Sequence, residues 1–168
     1  ASSGIGLGAA AALAEAGAEV TLVARRLAEL EAVRDAIRST GGKAQALALD
    51  ITDLAATAAA LAGQGAFDVL VNSAGLARHS SALDTTPEDY DAAMSLNLRA
   101  AYFLTREVAR GLIAAGKPGS LINISSQMGH VGGPDRAVYC ANKHALEGMT
   151  KAMALEWAPK GIRVNTIC

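Results

Sequence analysis

Residues 4–24 read GIGLGAAAALAEAGAEVTLVA: a glycine-rich start, an alanine-rich segment and then an apolar run that contains β-branched residues. This pattern predicts a helix over Ile5–Ala16 and a strand over Glu19–Ala24. Gly17 lies between them, where a residue in the left-handed conformation often ends a helix. A strand that follows a helix after so short a turn is typical of α/β proteins. The stretch therefore indicates an α/β fold.

The same alternation continues to the last residue. Further helices are predicted over Leu27–Ser39, Asp53–Leu61 and Arg136–Ala158, together with one long or broken helix over Pro87–Ala115. Further strands are predicted over Ala44–Leu49, Phe67–Asn72, Ser120–Ile124 and Ile162–Ile167. We expect a doubly wound parallel sheet with helices on both faces, in a single domain over residues 1–168, because no linker, repeat or charge block divides the sequence.

The composition excludes several classes of partner. Of the 168 residues, 51% are hydrophobic and 18% are charged, and the formal net charge is −1. Such a chain has no basic face for nucleic acid, and none of its apolar runs approaches the roughly 18 residues of a membrane span. The two cysteines and three histidines lack metal-ligand spacing. We expect a cytoplasmic protein with no nucleic-acid partner, no membrane partner and no metal.

The glycine-rich start is a candidate dinucleotide site. Free amides and the positive end of a helix dipole favour a pyrophosphate, and glycines let the cofactor approach the backbone. The alternative is a glycine turn that only permits tight packing of a strand against a helix. The candidate cofactor-binding residues here are Ser3, Gly4, Ile5 and Gly6.

The residues that follow the strand Glu19–Ala24 bear on the choice of cofactor. Arg25 and Arg26 stand where an acidic residue would accept hydrogen bonds from the ribose 2′-hydroxyl of NAD. A guanidinium suits a 2′-phosphate instead, so that NADP(H) is favoured over NAD(H), with Arg25 as the firmer candidate. The alternative is that both arginines are solvated residues at the start of a surface helix.

Polar residues also follow two other strands. Asp50-Ile51 and Asn72-Ser73-Ala74-Gly75 come at carboxyl ends of predicted strands, where ligands bind in this class of sheet. The alternative is that Asp50 serves a turn and that Asn72 satisfies backbone groups between strands.

A catalytic pair is predicted near the start of the helix Arg136–Ala158. Tyr139 and Lys143 are four residues apart, so they share one helix face. The lysine ammonium would stabilise the phenolate form and let the tyrosine exchange a proton with a carbonyl oxygen as a hydride is transferred. Ser126, just after the strand Ser120–Ile124, would polarise the same oxygen. Taken alone, a Tyr-x-x-x-Lys spacing is also common among surface pairs.

In combination, these segments resemble the short-chain dehydrogenases/reductases over essentially the whole chain. The resemblance rests on Gly4-Ile5-Gly6, Asn72-Ser73-Ala74-Gly75, Leu96-Asn97-Leu98, Ser125-Ser126, Tyr139-Cys140-Ala141-Asn142-Lys143 and Arg163-Val164-Asn165-Thr166, in the family's order and spacing. It implies a Rossmann fold. The family's first strand, in the middle of the sheet, and its carboxyl-terminal part have no counterpart here, and we expect the chain to be a fragment.

The resemblance also implies roles for individual residues. Tyr139 would be the general acid/base and Ser126 would stabilise the substrate oxygen. Lys143 would assist the tyrosine and hold the nicotinamide ribose, and Asn97 would bind a water that relays protons to Lys143. In the cofactor site, Asp50 with Ile51 would face the adenine, and Asn72, Ala74 and Gly75 would lie beside the cofactor.

The activity expected from this resemblance is hydride transfer between NADP(H) and a ketone or secondary alcohol. A 3-oxoacyl thioester reductase and a sugar or polyol dehydrogenase are the two substrate hypotheses. The alternative to an enzyme is a dinucleotide-binding sensor or scaffold without catalysis. Members of the family pack long helices between subunits, so a homo-oligomer, usually a tetramer, is also expected.

Overall fold

Helices and strands alternate over residues 1–168, all of which the computed structural model describes. Two compact units make up the chain, Ala1–Ile51 and Thr52–Cys168. The expectation of a single domain stays a prediction. The α/β class and the parallel direction of every strand pair are confirmed.

The first unit contains two helices and two strands. Their bounds are α1 Gly4–Glu15, β1 Glu19–Ala24, α2 Leu27–Ser39 and β2 Lys43–Ala48. β1 and β2 pair in parallel, with Leu22 opposite Ala46. Small alanines of α1 pack with larger residues of α2 and β1, because Ala10, Ala14, Leu22 and Leu30 form one buried apolar cluster. The bounds of β1 and α2 are those predicted.

The second unit contains the remaining elements. Their bounds are α3 Leu54–Ala62, β3 Val69–Asn72, α4 Pro87–Met94, α5 Ala101–Ala115, β4 Gly119–Ile124, α6 Ala137–Trp157 and β5 Ile162–Ile167. The strands form a parallel sheet in the order β3-β4-β5, with Leu121 of β4 opposite Leu70 and Val164. Leu121 is also part of the apolar core of this unit, with Val108 and Leu112 of α5.

Two predicted elements differ from the observed ones by more than one residue at an end. The strand predicted over Phe67–Asn72 begins at Val69, although the Asp68 carbonyl already accepts a hydrogen bond from the Ser120 amide (2.9 Å). The helix predicted over Pro87–Ala115 is broken: a π-helical segment, Ser95–Ala100, separates α4 from α5. π-Helical turns widen a helix locally and are frequent at functional sites.

The strands belong to two parallel sheets, in keeping with the expectation that the middle strand of the family's sheet has no counterpart here. Hydrogen bonds join β1 to β2 in one sheet and β3, β4 and β5 in another. β1 pairs only with β2, and β3 pairs only with β4, so each of these strands has one edge without a strand partner. On the β1 edge, the amino-terminal nitrogen of Ala1 donates to the Val23 carbonyl (2.7 Å). None of the helices combines the length and the apolar character that crossing a membrane requires.

The central strand of the second unit should be sensitive to truncation of its core side chain. Leu121 is 0% exposed, so Leu121→Ala should lower the free energy of unfolding by about 2–5 kcal/mol, since it removes buried contacts and leaves a cavity. Leu155→Ala on α6 is the matched control, because that leucine is 80% exposed and should change the value by less than about 0.5 kcal/mol. Denaturant unfolding of both variants tests this; equal effects would contradict the assigned core.

Candidate active site

The end of β4 leads directly into the first candidate residue. Ser126 is in extended conformation and precedes a short 3₁₀ turn, Gln127–Gly129, whose Met128 amide donates to the Ser126 hydroxyl oxygen (3.2 Å). This contact fixes the hydroxyl at the carboxyl end of the strand. Ser126 is partly exposed, so its hydroxyl hydrogen can still be donated to a ligand.

Tyr139 and Lys143 lie in the first two turns of α6, as their spacing predicts. Lys143 is only 5% exposed, and its Nζ donates to the carbonyl oxygen of Ile124, the last residue of β4 (2.8 Å). The same Nζ lies 5.8 Å from the centre of the Tyr139 ring. The structure thus brings Tyr139 and Lys143 to the end of the strand that leads into Ser126.

The Lys143 ammonium is largely shielded from water. Burial lowers the pKa of Lys143 below the ordinary lysine value, and the Glu147 carboxylate, one turn further along α6, partly offsets this by its negative charge. An ammonium has three donors, and the Ile124 carbonyl takes one of them. Lys143 therefore has donors left for a ligand hydroxyl.

A loop histidine also reaches the tyrosine. The rings of His79 and Tyr139 meet edge to face, with centroids 5.9 Å apart and planes at 84°. The Ser80 amide donates to the Asp135 carbonyl (3.2 Å), which joins this loop to the segment just before α6. The sequence gave no sign of this contact.

Asn97, in the π-helical segment, is clamped to a backbone group of a distant loop. It is 2% exposed; its Oδ1 accepts from the Leu76 amide and its Nδ2 donates to the Leu76 carbonyl, both at 2.7 Å. A Cβ on Gly75 would lie 3.6 Å from the same Oδ1, so Gly75 borders the clamp. The side chain thus fixes the segment after β3, and its expected role in holding a water stays a prediction.

A buried polar network connects β3 and β4 to the helices. The Asn123 side-chain oxygen accepts hydrogen bonds from Asn72 (3.4 Å) and Thr105 (3.3 Å), and its amide donates to Thr150 (3.2 Å). Asn72 was expected beside the cofactor, whereas Asn123, Thr105 and Thr150 were not expected to contribute. The sequence did contain a signal for Asn123, because it is the one amide among residues 121–124 of β4, which are otherwise apolar.

The cofactor candidates at the start of the first unit surround the amino end of α1. Ser3 precedes the helix without capping it, so the first amides of α1 have no side-chain acceptor. Gly4 has a positive φ of 56°, and a Cβ there would meet no atom within 4 Å. Ile5 is exposed and Gly6 half-buried. Open backbone with free amides fits a pyrophosphate group.

The two arginines after β1 differ in their surroundings. Arg26 forms an ion pair with Glu29 (2.6 Å), one turn further along, whereas Arg25 is exposed and forms no ion pair. Arg25 therefore remains the better candidate for a phosphate. Of the remaining candidates of this unit, Asp50 is exposed and Ile51 is buried.

Comparison with known proteins identifies the family. The family model for short chain dehydrogenases matches residues 1–168. L-Xylulose reductase of Bos taurus is 42% identical over 167 residues, which are 99% of this chain and 67% of the relative. D-Erythrulose reductase of Gallus gallus is 41% identical over 167 residues, 99% of this chain and 66% of the relative. The chain thus spans about two thirds of the length of these relatives.

A solved structure also resembles this chain in fold and sequence. Gluconate 5-dehydrogenase of Burkholderia cenocepacia J2315, in complex with NADP and tartrate, superposes with a TM-score of 0.93 at 36% identity, over 98% of this chain and 66% of that chain. Fold, site and relatives together define an NAD(P)-dependent oxidoreductase with a Rossmann-like fold. The chain belongs to the short-chain dehydrogenase family.

Loss of the Asn97 clamp should destabilise the second unit. Asn97→Ala leaves the Leu76 amide and carbonyl without their partners, which should lower the free energy of unfolding by about 1–3 kcal/mol per group that stays buried. Asn165→Ala, at an exposed position of β5, is the control and should have little effect. Denaturant titrations of the two variants provide the comparison. If Asn97→Ala has the same free energy of unfolding as the control variant, the hydrogen bonds of Asn97 to Leu76 do not stabilise the protein.

Proposed function

We propose that the protein transfers a hydride between NADP(H) and a ketone or secondary alcohol, with Tyr139 as the general acid/base. The observation that carries this proposal is the arrangement at the start of α6. There the buried Lys143 ammonium is held by the Ile124 carbonyl at 2.8 Å and lies 5.8 Å from the Tyr139 ring. A phenol beside a fixed positive charge is suited to exchange a proton at neutral pH.

In this proposal each residue has a separate task. A bound nicotinamide would supply or accept the hydride. Tyr139 gives a proton to the carbonyl oxygen as the alcohol forms and takes it back in the reverse direction. Ser126 donates a hydrogen bond to the same oxygen. Lys143 stabilises the phenolate that remains and offers its free donors to the nicotinamide ribose.

The cofactor preference rests on the first unit. The open, glycine-rich start of α1 would hold the pyrophosphate on free backbone amides, and Arg25 would bind the 2′-phosphate of NADP(H). The NADP bound in the gluconate 5-dehydrogenase structure and the pig relative called carbonyl reductase [NADPH] 2 support this choice. Asp50 with Ile51, and Asn72, Ala74 and Gly75, complete the proposed cofactor contacts.

The substrate proposed is a sugar or polyol. The relatives at 41–42% identity are named for L-xylulose and D-erythrulose, both small polyhydroxylated ketones. These names favour the sugar or polyol hypothesis over the 3-oxoacyl thioester. The cytoplasmic location and the homotetramer also stay proposals. The apolar groove lined by Met94, Leu98, Phe103 and Met149 is consistent with contacts between copies of the chain.

Replacement of the tyrosine tests the mechanism. Tyr139→Phe should lower kcat for NADPH-dependent reduction of L-xylulose or D-erythrulose by about 10²- to 10⁴-fold, because the proton donor is lost while the ring remains. Tyr90→Phe, at an exposed position of α4, is the matched control and should keep its activity. NADPH absorbance is the readout. Equal rates for the Tyr139 variant and the parent would exclude this mechanism, and NADPH binding without turnover of any carbonyl would favour the non-catalytic sensor.

Replacement of Arg25 tests the cofactor assignment. Arg25→Ala should raise the KM for NADPH by about 10- to 100-fold and change that for NADH little, since hydrogen bonds to a charged phosphate contribute about 1.5–3 kcal/mol. Arg26→Ala is the control, because Arg26 is already paired with Glu29. The measurement is the ratio of the two KM values in each variant. An unchanged ratio for Arg25→Ala would mean that the 2′-phosphate is bound elsewhere.

A further inference from the structure

A buried carboxylate lies one helical turn beyond the proposed catalytic lysine. Glu147 is 6% exposed, and the mechanism proposed above makes no use of it. Tyr139, Lys143 and Glu147 follow one another at intervals of four residues, so they share one face of α6. This regular spacing was visible in the sequence, but only the structure shows that the carboxylate is buried.

Glu147 contacts two other parts of the second unit. Its Oε2 accepts a hydrogen bond from the Thr166 hydroxyl of β5 (2.8 Å), and its Oε1 lies 3.6 Å from Nε2 of His130, just after the 3₁₀ turn. It also borders Gly129, where an added Cβ would lie 3.1 Å from the Glu147 Cγ and 3.0 Å from the Ser125 hydroxyl. The carboxylate of α6 is thus hydrogen-bonded to β5 and lies beside the turn that follows Ser126.

The surroundings of Glu147 favour the ionised form. Burial by itself would raise the pKa of Glu147. The neighbouring hydroxyls of Ser125 and Thr166 and the charge interactions with His130 and Lys151 outweigh this effect, so that the pKa lies below the ordinary value. The carboxylate in turn opposes the loss of the proton from Lys143.

Apolar packing does not account for this residue. A buried charge carries a desolvation cost that an aliphatic side chain of similar volume would avoid. Other buried positions of α6 include Leu146 and Met153, which do fill the interior with apolar groups. A glutamate that is hydrogen-bonded to β5 and lies beside the turn after Ser126 is better suited to fix their relative positions than to fill space.

We infer that Glu147 is a positioning residue of the active site: it holds α6 against β5 and against the turn that follows Ser126, one helical turn from Lys143. The inference rests on the proposed function, because it concerns the same tyrosine and lysine. It assigns Glu147 no contact with the substrate.

The charge of Glu147 and its tether to β5 have different consequences for the pH dependence of kcat. The ionisable groups near the pair are His130, Lys151 and Tyr139, besides Lys143 and Glu147 themselves. Without the carboxylate, the lysine loses its proton more readily. The alkaline limb of the kcat profile should therefore move to lower pH. Loss of the tether alone, with the charge retained, should lower kcat without moving that limb.

The experiment compares three substitutions in the intact protein. Glu147→Gln keeps the shape and removes the charge; we expect a fall in kcat of about 10- to 100-fold, as for other small displacements of catalytic groups, and a shift of the alkaline limb to lower pH. Glu147→Asp and Thr166→Val keep the charge and weaken the tether; we expect a smaller fall in kcat and an unmoved limb. In all three the KM for NADPH should change less than kcat.

Glu156→Gln is the matched control, since Glu156 is an exposed glutamate of the same helix. It should behave like the parent protein. If Glu147→Gln only lowers the melting temperature, with kcat and pH profile unchanged, Glu147 is structural and the inference is wrong. If that variant does not fold, an unchanged kcat in both Thr166→Val and Glu147→Asp overturns the inference equally. Failure of the proposed function is recognised separately, because an active Tyr139→Phe variant would refute it whatever the Glu147 variants do.

Discussion

The hydrogen bond from the buried Lys143 ammonium to the Ile124 carbonyl is the contact on which the arrangement of the second unit's site depends. It joins the first turns of α6 to the end of β4, which are nineteen residues apart in sequence. A buried ammonium without an acceptor would be costly, so the helix must keep this position against the strand. Tyr139 on α6 and Ser126, two residues after β4, are thereby brought to the same end of the sheet.

Other buried polar groups extend this principle around the site. Asn97 satisfies both backbone groups of Leu76, and Asn123 connects β3 and β4 to two helices through side-chain hydrogen bonds. Such bonds are directional, whereas the apolar contacts of Leu121 and its neighbours tolerate small rearrangements. The apolar core supplies stability, and the polar groups determine where the ends of the strands and the helix start lie.

Recognition of the cofactor depends on a different physical feature, the availability of unpaired groups. The start of α1 offers backbone amides and no competing side chain, and Arg25 is not engaged with a carboxylate as Arg26 is. A phosphate can bind to such groups without first breaking an internal contact. Glycine is needed at position 4 because any residue with a side chain would have to adopt a positive φ there.

The amino-acid sequence by itself determined the local elements and the chemistry of the site. Hydrophobic periodicity and turn residues placed β1, α2 and β5 at their observed bounds, and the four-residue interval singled out Tyr139 and Lys143. The tertiary structure alone decided the acceptor of Lys143, the Asn97 clamp and the contact of Glu147 with Thr166. The reason is physical: periodicity reports which face of an element is buried, whereas these hydrogen bonds join residues about twenty positions apart. Their partners are selected only when the elements pack and each buried polar atom must find a partner.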